Sequence, residues 1–158
     1  MKPQELRQRV LRKPVHWLAF GFGLGLLPRA PGTWGSLLGV VAWWFTPPVL
    51  ALQLTIAVLI SIAGIFICGA SARDLGIHDH GGIVWDEIAG MYLTLLVIPA
   101  EPVWVLAAFI LFRSFDIWKP WPIRDLDHRL RGGLGIMLDD IIAALFAATL
   151  LIVSSFFV

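Results

Sequence analysis

The chain has 158 residues, 58% of them hydrophobic and only 15% charged, with a formal net charge of +1 and a mean hydropathy of +0.82. A soluble domain carries roughly 25% charged residues, so the composition points away from a water-soluble globule and toward a membrane protein, with length for a single domain, 1–158. The 8 Trp suit boundaries between apolar and aqueous phases, and the 1 Cys, Cys68, excludes an intrachain disulfide.

In chain order, residues 1–13 are basic, with Leu6, Val10 and Leu11 at helical spacing. They read as an interfacial N-terminal helix on anionic headgroups. No secretory signal pattern follows. Residues 16–27 are apolar but short and interrupted by Gly21, Gly23 and Gly25. At about 1.5 Å per residue they cannot cross a ~30 Å hydrocarbon core, which predicts a re-entrant or interfacial segment. A loop at 28–32 leads to a second short apolar stretch, 34–45, ended by Pro47 and Pro48. Residues 49–70 are uncharged and long enough to span. A polar loop, 73–82, precedes an apolar helix expected over 83–98, with Asp86 and Glu87 near its start. After the turn Pro99-Ala100-Glu101-Pro102, residues 103–112 run back toward Arg113 and Asp116. A polar segment, 119–138, and a last apolar helix, 139–158, complete the chain. The expected fold is all-α: a polytopic membrane bundle with short re-entrant or interfacial segments.

If the helix pairs turn at Pro47–Pro48 and at Pro99–Pro102, segments 1–13, 28–33, 73–87 and 113–140 share one side. That side then holds all 12 Lys and Arg, and the other holds only Glu101. The positive-inside rule makes the charged side cytoplasmic.

The acids are the more informative group. Asp74, Asp79, Asp86, Glu87, Asp116, Asp125, Asp127, Asp139 and Asp140 fall in the two segments that this topology brings together. Single acids at helix starts are often solvated caps that complement the helix dipole. Two acidic pairs plus Asp116 on one face, at the edge of hydrocarbon, read instead as a site. Clustered hard oxygen donors suit Mg²⁺, which binds through a few carboxylates, waters and phosphate oxygens. Arg113, Asp116 and Lys119 share a helical face if the helix continues that far. An Arg and a Lys so placed either grip a phosphate or neutralise Asp116 and reach to the headgroups. Gly132-Gly133-Leu134-Gly135 either offers backbone N–H groups to an anion or permits a tight turn.

Several chemistries are excluded. Cys68 is followed by Arg73 after four residues rather than the five a cysteine phosphatase needs. The glycines at 21, 23 and 25 do not complete G-x-G-x-x-G, and no Walker A string occurs. Asp125-Leu126-Asp127 is followed by His128-Arg129 rather than by the rest of an aspartyl-phosphate motif, and His78 with His80 is too sparse for zinc. No nucleic-acid partner is expected.

Five separated strings then carry a resemblance. They are Pro31-Gly32-Thr33-Trp34-Gly35-Ser36; Gly76 through Glu87, with His78-Asp79-His80 and Trp85-Asp86-Glu87; Phe112-Arg113 through Asp116; Lys119-Pro120-Trp121-Pro122-Ile123-Arg124; and Gly132 through Asp140. In this order, from about residue 14 to the C-terminus, the chain resembles the phosphatidylglycerophosphatase A family, with Ala144 standing where a glycine is expected. The resemblance implies a bacterial inner-membrane enzyme, which the topology above makes multi-pass with its site at the cytoplasmic face. It implies Mg²⁺-dependent removal of the terminal phosphate of phosphatidylglycerophosphate, leaving phosphatidylglycerol. It also implies a relationship to all-helical soluble proteins.

Both lines together predict that Asp86, Glu87, Asp116 and Asp140, supported by Asp139, hold one or two Mg²⁺ ions that activate a water. Arg113, Lys119, Thr33 and Arg124 are the expected substrate contacts, with Asp79 or His78 as general acid. A covalent phospho-aspartate route is an open alternative. The competing class is an ion-binding membrane transporter using the same acids. It calls for ionisable residues at helix midpoints along a path, whereas these crowd at one face.

Overall fold

Prolines set the helix starts. A proline fixes φ and lacks an N–H that the first turn would leave unpaired anyway. In the computed structural model, which describes residues 3–77, 80–121, 123, 130 and 132–157, four helices begin on one: α1 (Pro3–Arg12), α2 (Pro14–Ala19), α3 (Pro31–Trp44) and α6 (Pro102–Trp118). The others are α4 (Leu50–Leu75), α5 (Trp85–Leu95) and α7 (Gly133–Ser155), with a 3₁₀ segment at Gly21–Leu26. The described residues contain no strand, as an all-helical membrane protein requires.

Boundaries differ from expectation in several places: α3 starts at Pro31, inside the expected 28–32 loop, and α4 runs to Leu75, into the expected 73–82 loop. The helix after the 73–82 loop is Trp85–Leu95 rather than 83–98. The next one does not stop near residue 112 but runs to Trp118, carrying Arg113 and Asp116 inside it. The last begins at Gly133, not at residue 139, so the glycine string is its first turn and Asp139-Asp140 lie nearly two turns inside. Residues 16–27 resolve into α2 and the 3₁₀ segment and contain no spanning helix, in line with their length.

Among the described residues two helices, α4 and α7, are long and apolar enough to cross a membrane. At 1.5 Å per residue α3 spans only ~21 Å and α5 only ~16 Å. The short α5 is the centre of the bundle. Ile88, Ala89, Gly90, Met91, Tyr92, Thr94 and Leu95 are all buried, and the helix packs against α3, α4, α6 and α7. A stripe of small residues makes this possible. On α3, Gly32, Gly35 and Gly39 face α5, and a Cβ at Gly39 would stand 2.7 Å from the Ile88 carbonyl oxygen. Gly90 likewise lets the Phe112 ring of α6 close onto α5. Such spacing brings helix axes together where no water drives apolar association.

Polar bonds tie the periphery to this core. Trp85 Nε1 donates to the Ile60 carbonyl (3.0 Å), and Val84 N–H to the Ala19 carbonyl (2.9 Å). Buried His16 on α2 joins Ser71 (2.8 Å) and Asp74 (2.7 Å) on α4, and Lys13 also reaches Asp74. Outside, large apolar side chains face outward, and aromatics mark both ends: Trp118 and Trp121 on one, Trp44, Phe45 and Phe156 on the other. Water would penalise this surface; a bilayer with interfacial aromatic belts accommodates it.

Candidate active site

Where α3, α5, α6 and α7 meet at one end of the bundle, each contributes to a single polar cluster. α5 brings Asp86 and Glu87 in its first turn, where acids complement the helix dipole. α7 brings Asp139 and Asp140, both almost fully buried. α6 brings Arg113 and Asp116, one turn apart and paired with each other. α3 brings no charge. Its Gly32 backbone sits against Glu87 and Arg113, so that a Cβ there would overlap Glu87 Oε1 and lie 3.0 Å from both guanidinium nitrogens. Thr33, half-buried, follows in the same turn.

One carboxylate oxygen from each of Asp86, Glu87 and Asp140 comes within 4.8 Å of the others. Glu87 Oε2 and Asp140 Oδ2 are buried without a hydrogen-bond partner among the described residues. Asp116 adjoins Asp140, and Arg113 lies 3.7 Å from Glu87 Oε1. Lys119, in left-handed conformation just past α6, bonds Asp139 Oδ2 at 2.6 Å, and Asp139 Oδ1 accepts the Asp140 N–H at 3.0 Å.

The electrostatics of this arrangement favour a cation. Five carboxylates face two cations, Arg113 and Lys119, an excess of three formal negative charges among the described residues. Two unit charges 4.8 Å apart repel by roughly 3–4 kcal/mol at an effective dielectric of about 20. Burial without compensating charge adds to that cost. Hard oxygen donors, buried oxygens lacking partners and surplus negative charge together fit a divalent, oxygen-seeking ion such as Mg²⁺.

The structure therefore brings together Asp86, Glu87, Arg113, Asp116, Lys119, Asp139 and Asp140; Thr33 follows Gly32 in sequence, and among the described residues no contact ties its side chain to the cluster. It divides their work more finely than sequence allowed. Asp86, Glu87 and Asp140 form the metal-sized group, Asp116 is engaged by Arg113, and Asp139 is engaged by Lys119. His78, Asp79 and Arg124 lie outside the described residues. Sequence reasoning did not single out Gly32 as a site residue, although glycines at 32, 35 and 39 fall on one helical face and were the available signal.

Comparison with known proteins gives the family. The family model described as Phosphatidylglycerophosphatase A matches residues 17–155. A protein of that name from Escherichia coli (strain K12) is 46% identical over 144 residues, covering 89% of this chain and 83% of the relative. One from Haemophilus influenzae is 46% identical over 145 residues, covering 90% and 89%. A Bacteroides thetaiotaomicron protein with the provisional name phosphatidylinositol-3-phosphatase is 39% identical over 143 residues, covering 85% and 89%. No solved structure matches the chain.

Proposed function

Because the chain belongs to the phosphatidylglycerophosphatase A family of phosphatases, we propose that it hydrolyses phosphatidylglycerophosphate to phosphatidylglycerol and inorganic phosphate, with Mg²⁺, at the cytoplasmic face of a bacterial inner membrane that it crosses several times. The observation that carries the metal-dependent chemistry is the buried convergence of Asp86, Glu87 and Asp140 within 4.8 Å. These three would hold Mg²⁺, which when bound supplies Lewis-acid polarisation of the phosphoryl oxygens and an acidified water.

The remaining work falls to the chain's own groups. Arg113, held from behind by Asp116 and beside Glu87, is placed to bind phosphate oxygens as negative charge grows on them. Lys119 fixes Asp139, and Asp139 fixes the backbone of Asp140, so the pair orients the α7 carboxylate. In the reaction, water adds to phosphorus, the bond from phosphorus to the glycerol oxygen breaks, and that oxygen takes a proton. Asp79 and His78 are the candidates for supplying it. The cytoplasmic orientation rests on the site end of the bundle being the Lys- and Arg-rich end.

The test is phosphate release by purified protein in detergent, with Mg²⁺ and with a chelator, for wild type and Asp140→Asn. Phosphatidylinositol 3-phosphate serves as the comparison substrate. Mg²⁺-restored release from phosphatidylglycerophosphate, lost in folded Asp140→Asn, is the expected result. Release that persists in chelator removes the metal from the mechanism, and preference for the inositol lipid overturns the substrate assignment.

A further inference from the structure

Beside the acidic cluster lies a second feature of opposite character. A cavity of about 870 Å³ runs beneath α1, between that helix, the 3₁₀ segment and residues 80–82. Pro31 also lines it, next in sequence to Gly32, whose backbone sits against Glu87 and Arg113. Its walls are largely apolar, with Leu6, Phe22, Leu26 and Leu27 among them, and among the described residues none that lines it carries a carboxylate. Two lining side chains suit an anion. One is Arg7. The other is His80, whose Nδ1 accepts the Gly82 N–H at 3.0 Å, which leaves Nε2 as the donor of the neutral ring. The wall is held in an uncommon backbone shape, with Phe22 at φ 59° and Gly23 at φ 94°, and Gly25 is pressed against the Gly82 carbonyl.

The substrate assigned above carries two phosphates of different kinds. The terminal monoester reacts. The phosphodiester is retained, bears one negative charge, and lies between the headgroup glycerol and the apolar diacylglycerol. The acidic cluster would repel it. Resting on the phosphatase reading, we propose that the cavity under α1 is the subsite for this retained phosphodiester and its adjoining glycerol, with Arg7 pairing the diester charge and His80 Nε2 donating to its oxygen. The subsite makes the enzyme selective for lipids with a second, internal phosphate. Arg7 precedes residues 17–155, the part matched by the family model, so the contact belongs to a region that model does not cover.

The products separate the two halves of the site, since phosphatidylglycerol carries only the diester and inorganic phosphate mimics only the monoester. The experiment measures KM, kcat and inhibition by each product in mixed micelles, for wild type, Arg7→Gln, Arg7→Lys and Arg12→Gln. Arg12 shares α1 but does not line the cavity, so its variant matches the loss of charge alone. For Arg7→Gln, loss of a charge-assisted contact predicts that KM rises and phosphatidylglycerol inhibition weakens, each by about tenfold. The kcat and the inhibition by inorganic phosphate stay at wild-type values, Arg7→Lys recovers most of the loss, and Arg12→Gln behaves as wild type. Equal shifts in Arg7→Gln and Arg12→Gln would reduce the effect to surface attraction and overturn the subsite, as would unchanged constants in Arg7→Gln. If wild type releases no phosphate, the activity itself is wrong. Binding of phosphatidylglycerol micelles, followed by tryptophan fluorescence in the same variants, then decides the subsite independently.

Discussion

Replacing Gly32 with alanine adds one methyl group at the tightest contact between α3 and the site. That methyl would overlap Glu87 Oε1 and stand 3.0 Å from Arg113 Nη1 and Nη2. Both neighbours are the far ends of long side chains, so they can move away while the backbone stays put. Restoring ordinary contact shifts the Glu87 carboxylate by about 1 Å, and misplacing a reacting constellation by that distance can cost on the order of 100-fold in rate. Stability changes little, because Gly32 lies in the first turn of α3, where alanine's advantage over glycine is smaller than the about 1 kcal/mol of a helix interior. Gly32→Ala is therefore expected to keep its melting temperature in detergent while losing roughly two orders of magnitude in kcat. It also needs more Mg²⁺ for half-maximal rate. Phosphate-release kinetics across a Mg²⁺ titration, with melting curves on the same preparations, measure all three. A variant that keeps wild-type kcat and Mg²⁺ dependence would refute the placement of Glu87 in the reacting group. One that simply unfolds would refute the view that only side-chain ends yield.

Gly39→Ala, two stripe positions further along, meets the Ile88 backbone oxygen at 2.7 Å instead of a movable side chain. It should lower stability by about 1–3 kcal/mol, read as a fall in melting temperature at nearly normal specific activity of the folded fraction. Lys119→Met removes the ammonium bonded to buried Asp139; a loss of about 1–3 kcal/mol is expected, and a double-mutant cycle with Asp139→Asn should recover part of it. His16→Ala removes a buried ring bonded to Ser71 and Asp74 and should cost about 2–4 kcal/mol. Because it lies outside the site, kcat of the folded protein should hold.

Much of this architecture was readable from spacing alone. Prolines at 31, 47, 48, 99 and 102 punctuate apolar runs, and local φ restriction makes such punctuation reliable. Asp86 and Glu87 stand out because acids beside hydrocarbon demand a reason. The places that differed are those where tertiary contact overrides local preference. Glycines 132–135 suggest a loop by propensity, yet Gly133 begins α7 because its lack of a side chain lets α7 lie against the Gly69 backbone of α4. Arg113-Ser114-Phe115-Asp116 looks like the end of an apolar run by charge, yet the helix continues since Arg113 and Asp116 pair one turn apart. The pairing of Lys119 with Asp139 joins residues 20 apart in sequence. Before the fold was known, no periodicity distinguished Asp139 from Asp140, and only packing separates the carboxylate held by a lysine from the one left facing Glu87 and Asp86.

The central helix α5, only 11 residues long and enclosed by its neighbours, has little lipid-facing length to match. Bilayers differ in thickness, and helices that meet lipid adjust to the mismatch by tilting. Here that adjustment falls mainly on α4, the long outer helix, which contributes none of the clustered carboxylates at Asp86, Glu87 and Asp140. The acidic residues at the head of α5 are thereby held by packing against neighbouring helices, and their position follows the bundle more than the lipid around it.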